Sequence, residues 1–298
     1  MNTRVYLLLA AGMAFYGSAT PVSKLVSDVF PIYAGSAARL LIAGLVLLPF
    51  MLKLDPSCFK RTRHDWYVII GVAIIGNLGF TFLMLYGMQM ISGVMGSVIM
   101  SATPAVTAMG AVLFMGEHIN ARKIGALGLG VGGTLLMHLT SGGEGSGNSL
   151  VLGSLLVFGA ICCEATYTLL GKLGSNDMKP ITLACLSALL SGVILVPWLL
   201  WEWPGEAVDG MSFSDALALI WWGVGTMALG TLCWYRGIKQ VPGHIAAAFM
   251  AIMPLSALIL SYVLLGEMFE WMHLVGFGLA FGGVILMIRE HRKQARMH

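Results

Sequence analysis

The stretch from Gly93 to Met137, GVMGSVIMSATPAVTAMGAVLFMGEHINARKIGALGLGVGGTLLM, is written twice in the chain. A shift of 150 residues lays it on Gly243 to Met287, GHIAAAFMAIMPLSALILSYVLLGEMFEWMHLVGFGLAFGGVILM. Met100 then falls on Met250, Pro104 on Pro254, Gly116-Glu117 on Gly266-Glu267, Gly128 on Gly278, Gly132-Gly133 on Gly282-Gly283, and Leu136-Met137 on Leu286-Met287. A proline and a glutamate are among the matches, and both are scarce in this sequence, so shared hydrophobicity does not account for them. Each copy reads as an apolar helix broken by proline, a short acidic turn, and a glycine-striped apolar helix. A period near half the chain implies two halves of one fold rather than a solenoid.

The repeat extends outward. The same shift pairs Asp65 with Asp215, Thr81 with Thr231 and Gly87 with Gly237. A shift of 148 pairs Thr20 with Thr168, Lys24 with Lys172, Gly44 with Gly192 and Pro49 with Pro197. A membrane-crossing helix needs about 20 mostly apolar residues. Ten such spans are expected, at 4–24, 32–52, 66–88, 93–115, 121–139, 150–172, 180–201, 214–236, 243–265 and 271–289. The expected organisation is a five-helix unit over 1–139, a flexible glycine- and serine-rich linker over 140–149, and a second five-helix unit over 150–298.

Composition agrees with a membrane protein. The chain is 58% hydrophobic and 10% charged, with a mean hydropathy of +0.85, whereas a soluble domain carries about 25% charged residues. The opening Met1-Asn2-Thr3-Arg4 and its apolar run resemble a signal peptide. They are read as a retained helix, because the run has a partner in the second half. The cysteines Cys58, Cys162, Cys163, Cys185 and Cys233 lack a CxxC pattern, and neither a disulfide framework nor a metal site is expected.

Five helices per unit is an odd number, so the two units sit upside down relative to each other. Loop charge sets the orientation. With a cytoplasmic N-terminus, the inside segments hold Arg4, Lys53, Lys60, Arg61, Arg63, Arg122, Lys123, Lys172, Lys179, Arg236, Lys239, Arg289, Arg292, Lys293 and Arg296. Only Lys24 lies outside, and Arg39 is intramembrane. The outer segment 202–215 is acidic, with Glu202, Glu206, Asp209 and Asp215. The expectation is an all-α membrane protein of the inner (cytoplasmic) membrane, with ten helices and both termini cytoplasmic.

Pro104, Gly116-Glu117 and the Gly125–Gly133 run, with their echoes Pro254, Gly266-Glu267 and Gly276–Gly283, resemble the drug/metabolite transporter superfamily of EamA type. Tyr16-Gly17-Ser18 stands where the family usually shows Trp-Gly-Ser. Glu164-Ala165-Thr166-Tyr167-Thr168 stands where it shows Trp-Ala-x-Tyr-Thr, so a carboxylate replaces a common aromatic. The resemblance covers essentially the whole chain. It implies a central cavity lined mainly by spans 1, 3, 4, 6, 8 and 9, with spans 5 and 10 outside. Within the family the sequence looks most like bacterial exporters of aromatic and other amino acids, although the family also moves purines, sugar phosphates, drugs and cations.

Inverted repeats build alternating access by rocking about a midplane site. Pro104 and Pro254 read as paired hinges, the alternative being static kinks. Arg39 lies eight residues into span 2, where a charge costs at least about 2.5 kcal/mol. It either binds a substrate carboxylate, or pairs with Asp28 or helix-end carbonyls, or snorkels outward. Glu164 is the acid well inside a span. It either receives a substrate ammonium group or carries a coupling proton, the alternative being a structural pair with Lys172 or a nearby hydroxyl.

Tyr16, Asn77, Phe80, Thr81, Ser97, Ser101, Tyr167, Trp234 and Phe249 complete the candidate substrate-binding set. Asn77, Phe80, Thr81 and Met84 share one face of span 3 by their spacing. Glu117 and Glu267 are expected to cap the N-terminus of the next helix. Gly128/Gly132 and Gly278/Gly282 are GxxxG pairs expected to pack within the monomer, with a homodimer as the alternative.

No phosphate-binding loop, HExxH or GxSxG occurs, so neither ATP nor hydrolytic chemistry is expected. No cofactor is expected. The expected partners are a small-molecule substrate and the lipid bilayer, without nucleic acid. The reading is a secondary or facilitative exporter of small metabolites, most of all aromatic and other neutral amino acids. A membrane enzyme acting on lipid-linked substrates would need clustered acids or histidines at one face, and Glu117, His118, Arg122 and Lys123 read as a charged turn.

Overall fold

The computed structural model describes residues 3–115, 124–125, 128–129, 132, 147–173, 178–202, 211–238, 240, 249, 252–279, 282 and 285. The described residues form helices and connecting turns, with no strand among them. Span 1 comprises α1 (Thr3–Gly17) and α2 (Ala19–Val29), separated by a turn at Ser18. Span 2 is α3 (Ile32–Leu54). Span 3 runs through α4 (Arg63–Gly71), a π-helical stretch (Val72–Gly79) and α5 (Phe80–Met90). Span 4 divides into α6 (Gly93–Met100) and α7 (Thr103–Met115).

Spans 6 and 7 are α8 (Gly147–Leu173) and α9 (Pro180–Glu202). Span 8 repeats the pattern of span 3, with α10 (Phe213–Gly223), a π-helical stretch (Val224–Leu229) and α11 (Gly230–Ile238). The described part of span 9 is α12 (Ile252–Leu265), preceded by Phe249. Among the described residues, 6 helical runs are long and apolar enough to cross a membrane: Thr3–Val29, Ile32–Leu54, Arg63–Met90, Ser149–Gly171, Pro180–Glu202 and Phe213–Trp234. Most of span 5, the last part of span 10 and most of the linker lie outside the described residues. Residues 271–279 are helical, and Gly147 to Ser149, read as linker, already belong to α8.

The first of the two prolines read as mid-helix breaks does something more specific. The chain leaves the helix at Ser101 and Ala102, and Pro104 falls in the first turn of the new helix α7. Pro254 lies in the helical part of span 9 that is described from Ile252 onward, and residues 250 and 251 before it fall outside the described residues. A first turn is where a missing N–H costs nothing, because that group has no intrahelical partner anyway. Hydroxyls satisfy the carbonyls freed at the break. Ser101 Oγ donates to Val98 O at 2.5 Å and Thr103 Oγ1 to Met100 O at 2.7 Å.

Packing follows the repeat. α3 lies along α9, α5 packs on α8 where α11 packs on α1, and α7 packs on α8 where α12 packs on α1. At the α3–α9 contact the agreement reaches single residues. A Cβ on Gly44 would come 2.6 Å from Leu189 Cδ2, and one on Gly192 would come 2.7 Å from Leu41 Cδ2. Gly44 and Gly192 are partners under the shift of 148, and so are Leu41 and Leu189. Each leucine therefore enters the notch its counterpart leaves, the reciprocity seen at a two-fold interface.

Helix N-termini take their counter-charges from distant segments. Glu202 Oε2, at the end of α9, accepts from Ala34 N at 2.8 Å at the start of α3. Asp55, at the end of α3, accepts from Thr182 Oγ1 at 2.6 Å at the start of α9. Glu267 Oε1 and Oε2 accept from Gly93 N at 2.5 Å and Val94 N at 2.8 Å, and Ser92 Oγ accepts from Met95 N at 3.2 Å. Glu267 thus caps span 4, not the helix that follows it, because that distant helix presents its unpaired N–H groups to the same spot. Glu117 lies outside the described residues.

Exposed Trp201, Phe213 and Trp271 form part of the apolar outer surface, as aromatics at a bilayer boundary do. Among the described residues, no atom lies within 4 Å of the Cβ positions of Gly128, Gly132 and Gly278, and most of spans 5 and 10 around them lies outside the described residues. Gly282 approaches a described neighbour across these spans, Leu129 Cδ1 at 3.6 Å from its Cβ position.

Asp55 generates a testable expectation. It is buried with Arg61, which pairs with it, while Ser57 Oγ donates to it at 3.0 Å and Lys179 bonds the Leu54 carbonyl. Burial opposes the charge, but the Thr182 and Ser57 hydrogen bonds and the Arg61 and Lys179 cations outweigh it, holding the carboxyl below its ordinary 3.8. A depressed carboxylate contributes stability above its unfolded pKa and loses it as pH falls through the folded value. Asp55→Asn should therefore lower the thermal midpoint in detergent by an amount constant from pH 8 to 5. The cost is about 3–5 kcal/mol, that of breaking a buried pair. A deficit that disappears by pH 6 would contradict this account.

Candidate functional site

Arg39 is carried into the interior by α3, on which its neighbours Ala37 and Leu40 are buried as well. Its guanidinium neither snorkels nor meets Asp28. Only 7% of the residue is exposed, and Asp28 pairs with Lys24 at 3.3 Å. Nη1 donates to Thr81 Oγ1 of α5 at 3.0 Å. One face lies toward the Phe80 ring, 5.6 Å from its centroid, and another toward the Trp222 ring of α10 at 4.3 Å. A desolvated cation between two aromatic rings gains about 2 kcal/mol from such contacts. The Nε of Arg39 and the Nε1 of Trp222 are both buried without a hydrogen-bond partner among the described residues.

Glu164 lies on α8, directly before Ala165, and is half-buried. Its Oε2 accepts from Thr103 Oγ1 at 3.3 Å. Thr103 stands at the break between α6 and α7, so the repeated proline places a hydroxyl beside the carboxylate. Arg39 and Glu164 attract each other electrostatically, yet no direct ion pair joins them among the described residues. Among the described residues, Arg39 and Glu164 are thus a cation and an anion inside the helical assembly, each tied to a threonine and without a direct ion pair between them.

The π-helical stretches frame this region. The Val224–Leu229 stretch follows Gly223, whose Cβ position is 2.9 Å from the Arg39 carbonyl oxygen. In the Val72–Gly79 stretch, Gly76 and Gly79 face Tyr167 and Cys163 of α8. Glycines allow these backbones to approach the functional helices, and π-turns recur at functional sites. Asn77 sits in the same stretch, where its Nδ2 donates to Ser187 Oγ of α9 at 3.1 Å. Ser191 Oγ donates to the Ala73 carbonyl at 2.9 Å.

The remaining candidates fall into separate groups. Tyr16, Trp234 and Phe249 join one apolar cluster with Leu9 and Met13. Tyr16 OH bonds Thr231 Oγ1 at 3.1 Å, and Phe249 stacks on Tyr6. Ser97 Oγ donates to the Gly93 carbonyl at 2.8 Å and lies 3.3 Å from Ser261 Oγ. Ser101 is buried at the helix break. Of the sequence candidates, Arg39, Phe80, Thr81 and Glu164 are thus drawn into one charged centre. Trp222, Thr103 and Ser187 were missed. Trp222 has no aromatic counterpart in the first half, since Val72 stands there, so the repeat did not mark it. Thr103 was signalled only by its place before Pro104.

At Gly17, a Cβ would collide with Ser256 Oγ and the Met253 carbonyl of α12. Ser18 Oγ accepts from Trp221 Nε1 at 3.0 Å and donates to the Phe15 carbonyl at 2.7 Å. The Tyr16-Gly17-Ser18 motif is therefore a side-chain hydrogen bond, a notch and a hydrogen-bonded turn in succession.

The EamA-like transporter family model matches residues 3–139 and 151–289. Among curated relatives, the uncharacterized transporter YetK of Bacillus subtilis is 28% identical over 95% of this chain and 86% of its own. A probable terminal-alkyne amino-acid exporter of Streptantibioticus cattleyicolor is 23% identical, covering 92% and 90%. The inner membrane protein YtfF of Escherichia coli is 23% identical, covering 96% and 94%. A solved crystal structure superposes with a TM-score of 0.65 over 99% of both chains at 16% identity, a likeness of fold.

The two threonine contacts should differ in energy. Thr81→Val preserves shape but leaves a buried guanidinium N–H unpaired, a loss of about 1.5–3 kcal/mol for a bond to a charged group. Thr231→Val removes the acceptor of a neutral tyrosine bond and should cost about 1 kcal/mol. Thermal unfolding of the two variants in detergent checks the order, and a smaller loss for Thr81→Val would refute it.

Proposed function

The chain belongs to the EamA-like transporter family, and from that premise we propose that it exports small metabolites, most of all aromatic and other neutral amino acids, by alternating access. As a member of that family it is a multi-pass membrane transporter and not an enzyme. The proposal places it in the inner membrane with both termini cytoplasmic, as the charge bias of the loops supports. It treats residues 1–139 and 150–298 as inverted five-helix units whose rocking moves the solute, either down its gradient or coupled to an ion.

The observation that carries this reading is the separated Arg39 and Glu164 pair. Intramembrane charges are expensive and mark solute or proton pathways by default. Here a cation on α3 and an anion on α8 come from different halves of the chain and do not neutralise each other directly. Around them, the Glu267 contacts to Gly93 and Val94 and the Ser97 to Ser261 contact tie span 4 to span 9. In the proposed orientation this tie lies at the outer face. Outward opening then requires the carboxylate to leave the α6 N-terminus, with Pro104 and Pro254 as the points about which the half-helices pivot.

Uptake of labelled amino acids into proteoliposomes, with and without a pH gradient, tests the reading. Saturable uptake that responds to the gradient and is lost in Glu164→Gln supports an antiporter with Glu164 in the coupling path. Saturable uptake indifferent to both makes the protein a facilitator. Absence of uptake for every amino acid sinks the amino-acid assignment. Independently, Glu267→Gln should raise labelling of a cysteine placed at Ser97 by an outer-face thiol reagent, by about an order of magnitude if the loss approaches the ~1.4 kcal/mol that a tenfold population change represents. Unchanged labelling would remove Glu267 from the gate.

A further inference from the structure

The empty edge of Arg39 narrows the substrate class. We propose that the guanidinium Nε edge, with the indole N–H of Trp222 beside it, is the seat of the substrate's carboxylate, and that Glu164 takes its ammonium group. The transported solute is then a zwitterionic α-amino acid and not an amine, a neutral metabolite or a simple anion. This rests on the transporter reading above.

The arrangement of Arg39 is that of a prepared receptor. Rings flank the guanidinium and one terminal nitrogen is held by Thr81, so its orientation is fixed. The remaining side edge is the planar fork that meets a carboxylate with two parallel hydrogen bonds. Along that edge Nε has no acceptor among the described residues, and neither does Trp222 Nε1 against the same guanidinium. A buried donor without a partner costs about 1–3 kcal/mol, and two orphans on stacked groups point to an acceptor that the site receives when it is in use. A lysine would supply charge at this place but not the fork.

Glu164 supplies the complementary end. It is within electrostatic reach of Arg39 without touching it, and it retains exposed surface while Trp222 is fully buried. A solute therefore approaches from the Glu164 side with its carboxylate leading toward Arg39. An α-amino acid carries both charges, so a single molecule offers a partner to each residue. A monocation leaves Arg39 unpaired, and a simple anion leaves Glu164 unpaired and repelled.

The test uses the full chain in proteoliposomes, with a panel of the twenty labelled L-amino acids as probes. For each amino acid carried, its carboxamide and its decarboxylated amine should compete at least tenfold more weakly than the parent. Its N-acetyl derivative should also be weaker, and that last deficit should shrink in Glu164→Gln. Arg39→Lys should raise KM at least tenfold while leaving the thermal midpoint near wild type. Trp222→Phe, which keeps the ring and loses only the N–H, should raise KM severalfold with kcat retained. If Arg39→Lys does not fold, the wild-type competition and Trp222→Phe decide alone. Equal competition by the carboxamide, or an unchanged KM in both variants, overturns the assignment. Transport of amines or uncharged solutes without any amino acid overturns it too, while leaving the transporter reading intact. Failure of the folded protein to move any solute defeats the transporter reading itself.

Discussion

A helix that begins in or near lipid leaves its first N–H groups without partners, and lipid provides none. Much of this structure follows from how that deficit is met. Carboxylates from segments far along the chain reach the open N-termini: Glu202 reaches α3 and Glu267 reaches α6. Asp55 performs the related task for α9 through the Thr182 hydroxyl. Ala34 and Thr182 are counterparts under the shift of 148, so the start of α3 and the start of α9 are served by the end of each other. The same contacts that satisfy the backbone therefore also bind the two halves of the chain together.

Such ties can be broken and remade at modest cost, because the exchange is between charge-assisted hydrogen bonds and water at the membrane surface. The interior is different. Arg39 and Glu164 have no bulk water to retreat to, and their side chains are held by Thr81 and Thr103 rather than by each other. Polar ties at the faces and unneutralised charge inside are the pairing a carrier needs: ends that can open and a centre whose charges a solute completes.

Glycine and the π-turns connect these levels. Gly44 and Gly192 admit the reciprocal leucines that align α3 with α9, and α3 carries Arg39. The π-helical stretches of spans 3 and 8 fall at matching positions. They bring α5 with Thr81, and α10 with Trp222, against the same arginine. A substitution at a packing glycine would thus act on the charged centre through helix position, without touching it.

Much of the architecture was legible in the sequence because it depends on sums over many residues. Apolar run length fixed the helical membrane class, the 148–150 residue repeat anticipated which helices would be counterparts, and scarcity of charge singled out Arg39 and Glu164. Periodicity also put Phe80 and Thr81 on one face. What a repeat cannot reveal is a contact between unlike positions. Trp222 has only Val72 as its counterpart, and Thr103 only Met253, yet these residues hold the arginine and the glutamate. The Pro104 break was visible, but its placement in the first turn of a new helix, and the reach of Glu267 to a helix 174 residues away in sequence, were not. Local pattern determines which segments are helices and where charge is unaffordable in lipid. Only the tertiary structure decides which unpaired N–H meets which carboxylate, because that depends on distances between segments that no sequence spacing encodes.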